Sequence, residues 1–158
     1  MRSRLLTAIL FFCWGFLAFA QNDPVTVRLE IYVVNVVDGQ EELKEATQAR
    51  PGQVVEYRLF ALNNGDATLP AGTVVITGPI PEGTSFVADS ATPTTDTLLT
   101  EYSVDGEAYY EPPILVGSDG QRTVADPANY KAIRWTLLSN MEPKQEAGFV
   151  YRVTVNKN

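Results

Sequence analysis

The order of turns and alternating runs between Pro51 and Val87 narrows the folds open to this chain. Pro51-Gly52 is a turn pair: proline pre-sets φ and glycine accepts a positive one. Val55, Tyr57, Leu59 and Ala61 then alternate with Glu56, Arg58 and Phe60, the period of a strand with one face in a core. Asn63-Asn64-Gly65-Asp66 closes the run with residues that tolerate positive φ. Thr73 to Thr77 is a short β-branched strand. Pro79-Ile80-Pro81 stops pairing because proline has no N–H to donate, and Ser85-Phe86-Val87 resumes it. This is the opening of a small antiparallel sandwich.

The flanking sequence continues the pattern. Val25, Val27, Leu29, Ile31 and Val33 alternate with Thr26, Arg28, Glu30 and Tyr32, which predicts a half-buried strand. After Val33 the apolar parity shifts to Val34 and Val36, predicting a bulge or a strand end. Asp38-Gly39 is a turn. Residues 41–50 contain good helix formers between two turns; a helix, a charged edge strand and an irregular link all fit. Residues 88–97 read as loop. Leu98 to Val104, Asp105-Gly106 and Glu107 to Tyr110 read as a hairpin, since Asp-Gly between alternating runs favours a tight turn. Residues 111–129 are loop-rich, with a short strand at Ile114 to Val116. Ile133, Trp135 and Leu137 alternate, residues 141–145 turn, and Phe149, Tyr151, Val153 and Val155 form the last strand. Seven or eight short strands with such turn spacing predict an all-β sandwich. The predicted core is Tyr57, Leu59, Phe86, Trp135, Phe149 and Tyr151, centred on Trp135.

The first twenty residues read as a signal peptide rather than part of the fold. Arg2 and Arg4 precede an apolar run from Leu5 to Phe19, and Ala18-Phe19-Ala20 places small residues where a signal peptidase needs them. The run is short for a span, which needs about 20 residues, so a retained anchor is the lesser alternative. The one cysteine, Cys13, follows the bulky Phe12 and reads as an apolar residue of the leader. Cleavage before Gln21 leaves residues 21–158 as one domain without cysteine, weakly favouring a bacterial envelope or surface over a eukaryotic secretory route. That segment keeps ten of the twelve basic residues against nineteen acidic ones, a net charge of −9. Such a surface repels phosphate backbones and anionic headgroups, so nucleic acid is not an expected partner. No membrane span is expected in the mature chain.

Several segments together resemble the bacterial conserved repeat domain known as domain of unknown function eleven. They are Pro51-Gly52, the run from Val55, Asn63-Asn64-Gly65-Asp66-Ala67, and Ile80-Pro81-Glu82-Gly83-Thr84-Ser85-Phe86-Val87. Tyr102 to Gly106, Ile133 to Leu137 and Phe149 to Val155 continue it, so the likeness spans roughly residues 25 to 156. Ile80 stands where the family pattern has leucine, and residues 142–148 lack its Pro-Gly turn. The resemblance implies an immunoglobulin-like antiparallel β-sandwich on exported envelope or surface proteins, and no activity. The family often occurs in tandem, whereas this sequence shows one copy.

The side-chain inventory points away from catalysis. With no histidine and no cysteine beyond the leader, neither a Ser-His-Asp nor a Cys-His arrangement can form, and zinc lacks its usual ligands. Glu101, Asp105, Glu107 and Glu111 could in principle supply a carboxylate pair for glycoside hydrolysis. Asn63, Asn64 and Asp66, with Asp38 or Asp89, are weak calcium candidates, although turn chemistry alone explains them. No cofactor is expected. Tyr102, Tyr109, Tyr110 and Tyr130 cluster in and after the Asp105-Gly106 hairpin, beside Pro112 and Pro113. Tyrosine offers large contact area at low entropic cost, making these four the candidate partner-binding residues. The long strand from Val25 to Val36 could also be exchanged with a partner. The expected role is an exported, non-catalytic accessory domain that binds a larger envelope or surface protein. The alternative is a free glycan- or ligand-binding module.

Overall fold

The computed structural model describes residues 24–45, 47–116 and 120–157; the expected leader and its cleavage point lie outside them. Among these residues ten strands form: β1 (Val25–Val37), β2 (Gln40–Glu45), β3 (Val54–Asn63), β4 (Val75–Pro79), β5 (Thr84–Phe86), β6 (Leu98–Ser103), β7 (Ile114–Val116), β8 (Arg122–Val124), β9 (Ala132–Leu137) and β10 (Glu146–Val155). A 3₁₀ turn at Pro127–Asn129 is capped by the Asp126 side chain, and no α-helix occurs among the described residues. One sheet has the order β2-β1-β3-β10-β5, a second has β4-β9-β6, and β7-β8 is a separate ribbon. Every pairing is antiparallel.

Alternation in sequence decides which face of each strand is buried. Along β3, Val55, Leu59 and Ala61 enter the core, whereas Arg58 and Phe60 lie half-buried on the outer face. Register carries that choice to both neighbours. Leu59 lies opposite Leu29 of β1 and Phe149 of β10, and Tyr57 opposite Ile31 and Tyr151. Residues directly opposite in an antiparallel pair share a face, so one pattern in β3 orients three strands.

The two sheets meet through aromatic rings. Trp135 of β9 packs on Phe149 at 5.4 Å and Tyr151 at 6.0 Å, both from β10. Tyr102 of β6 meets Phe86 of β5 at 5.7 Å. Thus β9 lies over β10 and β6 over β5, and the strand order places β4 over β3. Trp135 is fully buried, and its indole N–H donates to the Thr92 carbonyl at 3.1 Å. The Tyr151 hydroxyl donates to the Pro79 carbonyl at 2.6 Å, and burial pushes its pKa well up. Both rings thereby satisfy their polar handle while their area is buried. Gly78 of β4 leaves room for them: a Cβ there would lie 2.8 Å from Tyr151 and 3.0 Å from Trp135.

The expected core residues are placed as anticipated, with Tyr57 half-buried and stacked on Tyr151 at 5.0 Å. Three local expectations need correction, and one open reading is decided. The parity change after Val33 is neither bulge nor strand end. β1 runs unbroken to Val37, but beyond Val34 it has left β3 and pairs with β2 alone, so apolar residues no longer need to point inward. The ambiguous 41–50 segment holds the charged edge strand β2 at Gln40–Glu45. The second arm of the Asp105-Gly106 hairpin reduces to a single bridge between Tyr102 and Tyr110. Finally, β8 pairs with β7, so the 111–129 region carries a ribbon rather than one isolated strand.

Candidate functional site

The four candidate tyrosines separate into two environments. Tyr130 is 5% exposed and stacks on Phe86 at 5.7 Å. Tyr102 lies 4.9 Å from Tyr130 and shares that cluster. Burial raises both phenol pKa values. These two rings close one end of the core, because β6 and the 3₁₀ turn both sit over β5. Tyr109 is half-buried with the Arg134 guanidinium 4.3 Å above its ring. Tyr110 is 56% exposed. The structure therefore leaves Tyr110, and one side of Tyr109, as the accessible part of the set.

The loop before them is shaped by one carboxylate. Asp105 accepts the Glu107 and Ala108 N–H groups at 2.8 and 2.9 Å and the Ser103 hydroxyl at 2.8 Å. Led by the Glu107 N–H bond, these contacts hold its pKa down at about 2. The donors it captures are no longer free for a ladder, which explains why residues 107–109 stay outside any strand. Glu101 is engaged by Arg134 through contacts of 2.8 and 3.1 Å, and Glu111 accepts from the Thr94 hydroxyl. The carboxylates singled out for acid–base work are thus committed to separate local partners, apart from the exposed Glu107.

Asn63, Asn64 and Asp66 do not converge on a common point. Asn63 is fully buried; its amide donates to the carbonyls of Ala67, Met141 and Glu142 at 2.9, 3.1 and 3.2 Å and accepts the Gly65 N–H at 3.0 Å. Asn64 donates to the Thr26 hydroxyl. Asp66 is exposed, with Lys144 3.5 Å away. Asn63 thus presents N–H hydrogens, not oxygen, to the carbonyls around it, the wrong polarity for a calcium ligand. No cluster of three or more acidic, histidine or cysteine residues suited to a metal occurs among the described residues.

The β7–β8 ribbon adds surface beyond the four tyrosines singled out from the sequence. Ile114 lies opposite Val124, so both share a face, and they are 41% and 60% exposed. The strand propensity of Ile114-Leu115-Val116 was legible; its partner Arg122-Thr123-Val124 was hidden in a segment with strong loop signals. The outer face of the large sheet is charged and internally paired. Buried Glu56 accepts from Arg58 at 2.7 Å and Arg152 at 2.8 Å, and Arg152 also grips Glu41 of β2. That bond lowers the Glu41 pKa. Arg28 lies 4.1 Å over Phe60 and Arg58 lies 5.1 Å over Tyr32. These side chains satisfy one another and leave no converging set aimed at a ligand.

No family model, curated protein or solved structure matches the chain.

Proposed function

We propose that this chain is an exported, non-catalytic accessory domain that binds a larger cell-envelope or surface protein. The observation that carries this reading is the β7–β8 ribbon. Its Ile114 and Val124 present apolar side chains to solvent on one face, and exposed Tyr110 precedes them in the chain. A two-stranded ribbon projecting from a rigid sandwich is a common way to present a contact surface, and exposed apolar side chains gain free energy when a partner covers them. The reading further holds that the sandwich is immunoglobulin-like, akin to the bacterial repeat domain whose motifs the sequence resembles. The basic, apolar leader supports export.

A glycan-binding module fits less well. Stacking on sugar needs open aromatic faces, and one face of Tyr109 is occupied by Arg134. The test is gentle extraction from the native envelope, sizing by light scattering and mass spectrometry of what co-migrates. One larger protein at a fixed ratio is expected, with Ile114→Asp plus Val124→Asp releasing it from a still-folded domain. A lone species near the chain's own mass, or a complex indifferent to the double substitution, would refute the assignment.

A further inference from the structure

Sheet edges carry unpaired backbone groups, and proteins guard them with charge, brevity or cover. Three of the four edges of these two sheets are guarded. β2 is six residues long and carries Glu41, Glu42, Lys44 and Glu45. β5 is three residues long. The outer side of β6 is bridged at Tyr102 by Tyr110, through backbone bonds of 2.9 and 3.0 Å. The fourth edge, β4, is different. No charged residue occurs between Asp66 and Glu82, and β4 pairs on one side only, with β9. The Leu137 N–H bonds to the Val74 carbonyl and the Ile80 N–H to the Lys131 carbonyl. By antiparallel alternation, Val75 and Thr77 therefore turn their N–H and C=O groups to the open side.

The large sheet extends beyond this edge. With β4 over β3, the next strand position lies over β1, where the described residues place no strand of the small sheet. Val27 and Leu29 share the inner face with Ala61 and Leu59, yet they are 48% and 52% exposed. Val75 is 47% exposed, and Val27 faces residues 73–76 across an open cleft. We infer that β4 is a strand-acceptor edge, taking one extended segment of a partner protein that pairs with Val75–Gly78 and lays alternate apolar side chains on Val27 and Leu29 of β1. Main-chain bonds then supply affinity, and the inner-face valine and leucine select the alternation. This inference rests on the reading of the chain as a partner-binding subunit, and it assigns a second contact apart from the ribbon.

The occupant is a single strand rather than a second copy of this domain. An antiparallel β4–β4 pair has its two-fold axis normal to the sheet, so both large sheets fall on the same side. The second copy's β3, lying beneath its β4, would then occupy the space of β1. The net charge of −7 also sets two copies against each other. A β4 edge of five residues contributes far less area than the roughly 1,200–2,000 Å² of a stable interface. It suits a strand tethered to a partner that is held elsewhere as well.

The full chain is produced in an exporting host, and a labelled peptide of alternating valine and threonine, with lysine at each end, is titrated into it. The same peptide with a central proline serves as the control. Saturable binding is expected, with hydrogen exchange slowing at the Val75 and Thr77 amides. Val75→Pro removes an outward N–H without breaking a bond to β9, and Leu29→Glu places charge on the half-exposed inner face. Each is expected to weaken binding roughly tenfold or more, with unchanged Trp135 fluorescence reporting an intact core. Absent binding, equal binding to Val75→Pro, or protection at β2 or β6 overturns the inference; so does self-association that protects β4 without peptide. If the native complex persists in Val75→Pro and no peptide binds, the subunit reading stands while the acceptor edge fails. Peptide binding without any native complex gives the reverse.

Discussion

Removing the Asn63 amide separates a structural lock from a ligand site. Asn63 sits fully buried at the end of β3 and reaches three carbonyls from two other segments, while its oxygen takes the Gly65 N–H. In Asn63→Ala, two amide hydrogens and one acceptor are lost, each contributing about 1 kcal/mol net. The Met141 carbonyl retains the Leu69 N–H at 2.9 Å, whereas the Gly65 N–H loses its partner. The expected destabilisation is therefore about 3 kcal/mol, and thermal melting should shift down by about 10 °C for a domain of this size. Asn63→Asp is the sharper variant. Its carboxylate cannot donate, so it faces the same carbonyls with like polarity in a buried site, and at neutral pH it should cost more than alanine. Those surroundings favour the protonated acid and raise its pKa in the folded state above the unfolded value of about 3.9. Its penalty is then greatest at neutral pH and is relieved as pH falls through the raised folded value. Urea unfolding followed by Trp135 fluorescence across pH measures all of this. An alanine shift under about 1 kcal/mol, an aspartate variant milder than alanine at neutral pH, or a calcium-dependent rise in wild-type stability would refute the lock.

Gly78→Ala should destabilise by about 1–3 kcal/mol through overpacking, because the new methyl meets Tyr151 at 2.8 Å and Trp135 at 3.0 Å. Gly148→Ala, whose methyl would rest 3.5 Å from Phe60, should be tolerated far better in the same urea assay. Asp105 should titrate near pH 2 by carboxyl NMR, because its folded pKa is depressed to about 2 by the Glu107 and Ala108 N–H groups. Its contribution to stability is complete above the ordinary carboxylate range and is lost as pH falls toward that value. Asp105→Ala should remove this titration and speed hydrogen exchange at both amides.

The sequence by itself determined the class of fold and much of its interior. Period-two alternation in Val55 to Ala61 and Phe149 to Val155 fixes which side chains face inward, because a one-residue slip would expose the whole set. Trp135 as the core centre followed from its size on an alternating strand. What local pattern could not reach was decided by which strand lies beside or above which. Tyr102, Tyr109, Tyr110 and Tyr130 look alike in sequence, yet two close the core because β6 crosses β5. The second half of β1 stays extended after its apolar parity changes because β2 replaces β3 as its partner. Asp105-Gly106 signals a hairpin, but a side-chain carboxylate outcompetes the ladder for two N–H groups. The exposure of Val27 and Leu29 reflects a count of strands, five in one layer and three in the other among the described residues. Alternation specifies a strand's inner face, but whether that face is covered depends on a layer built from distant parts of the chain.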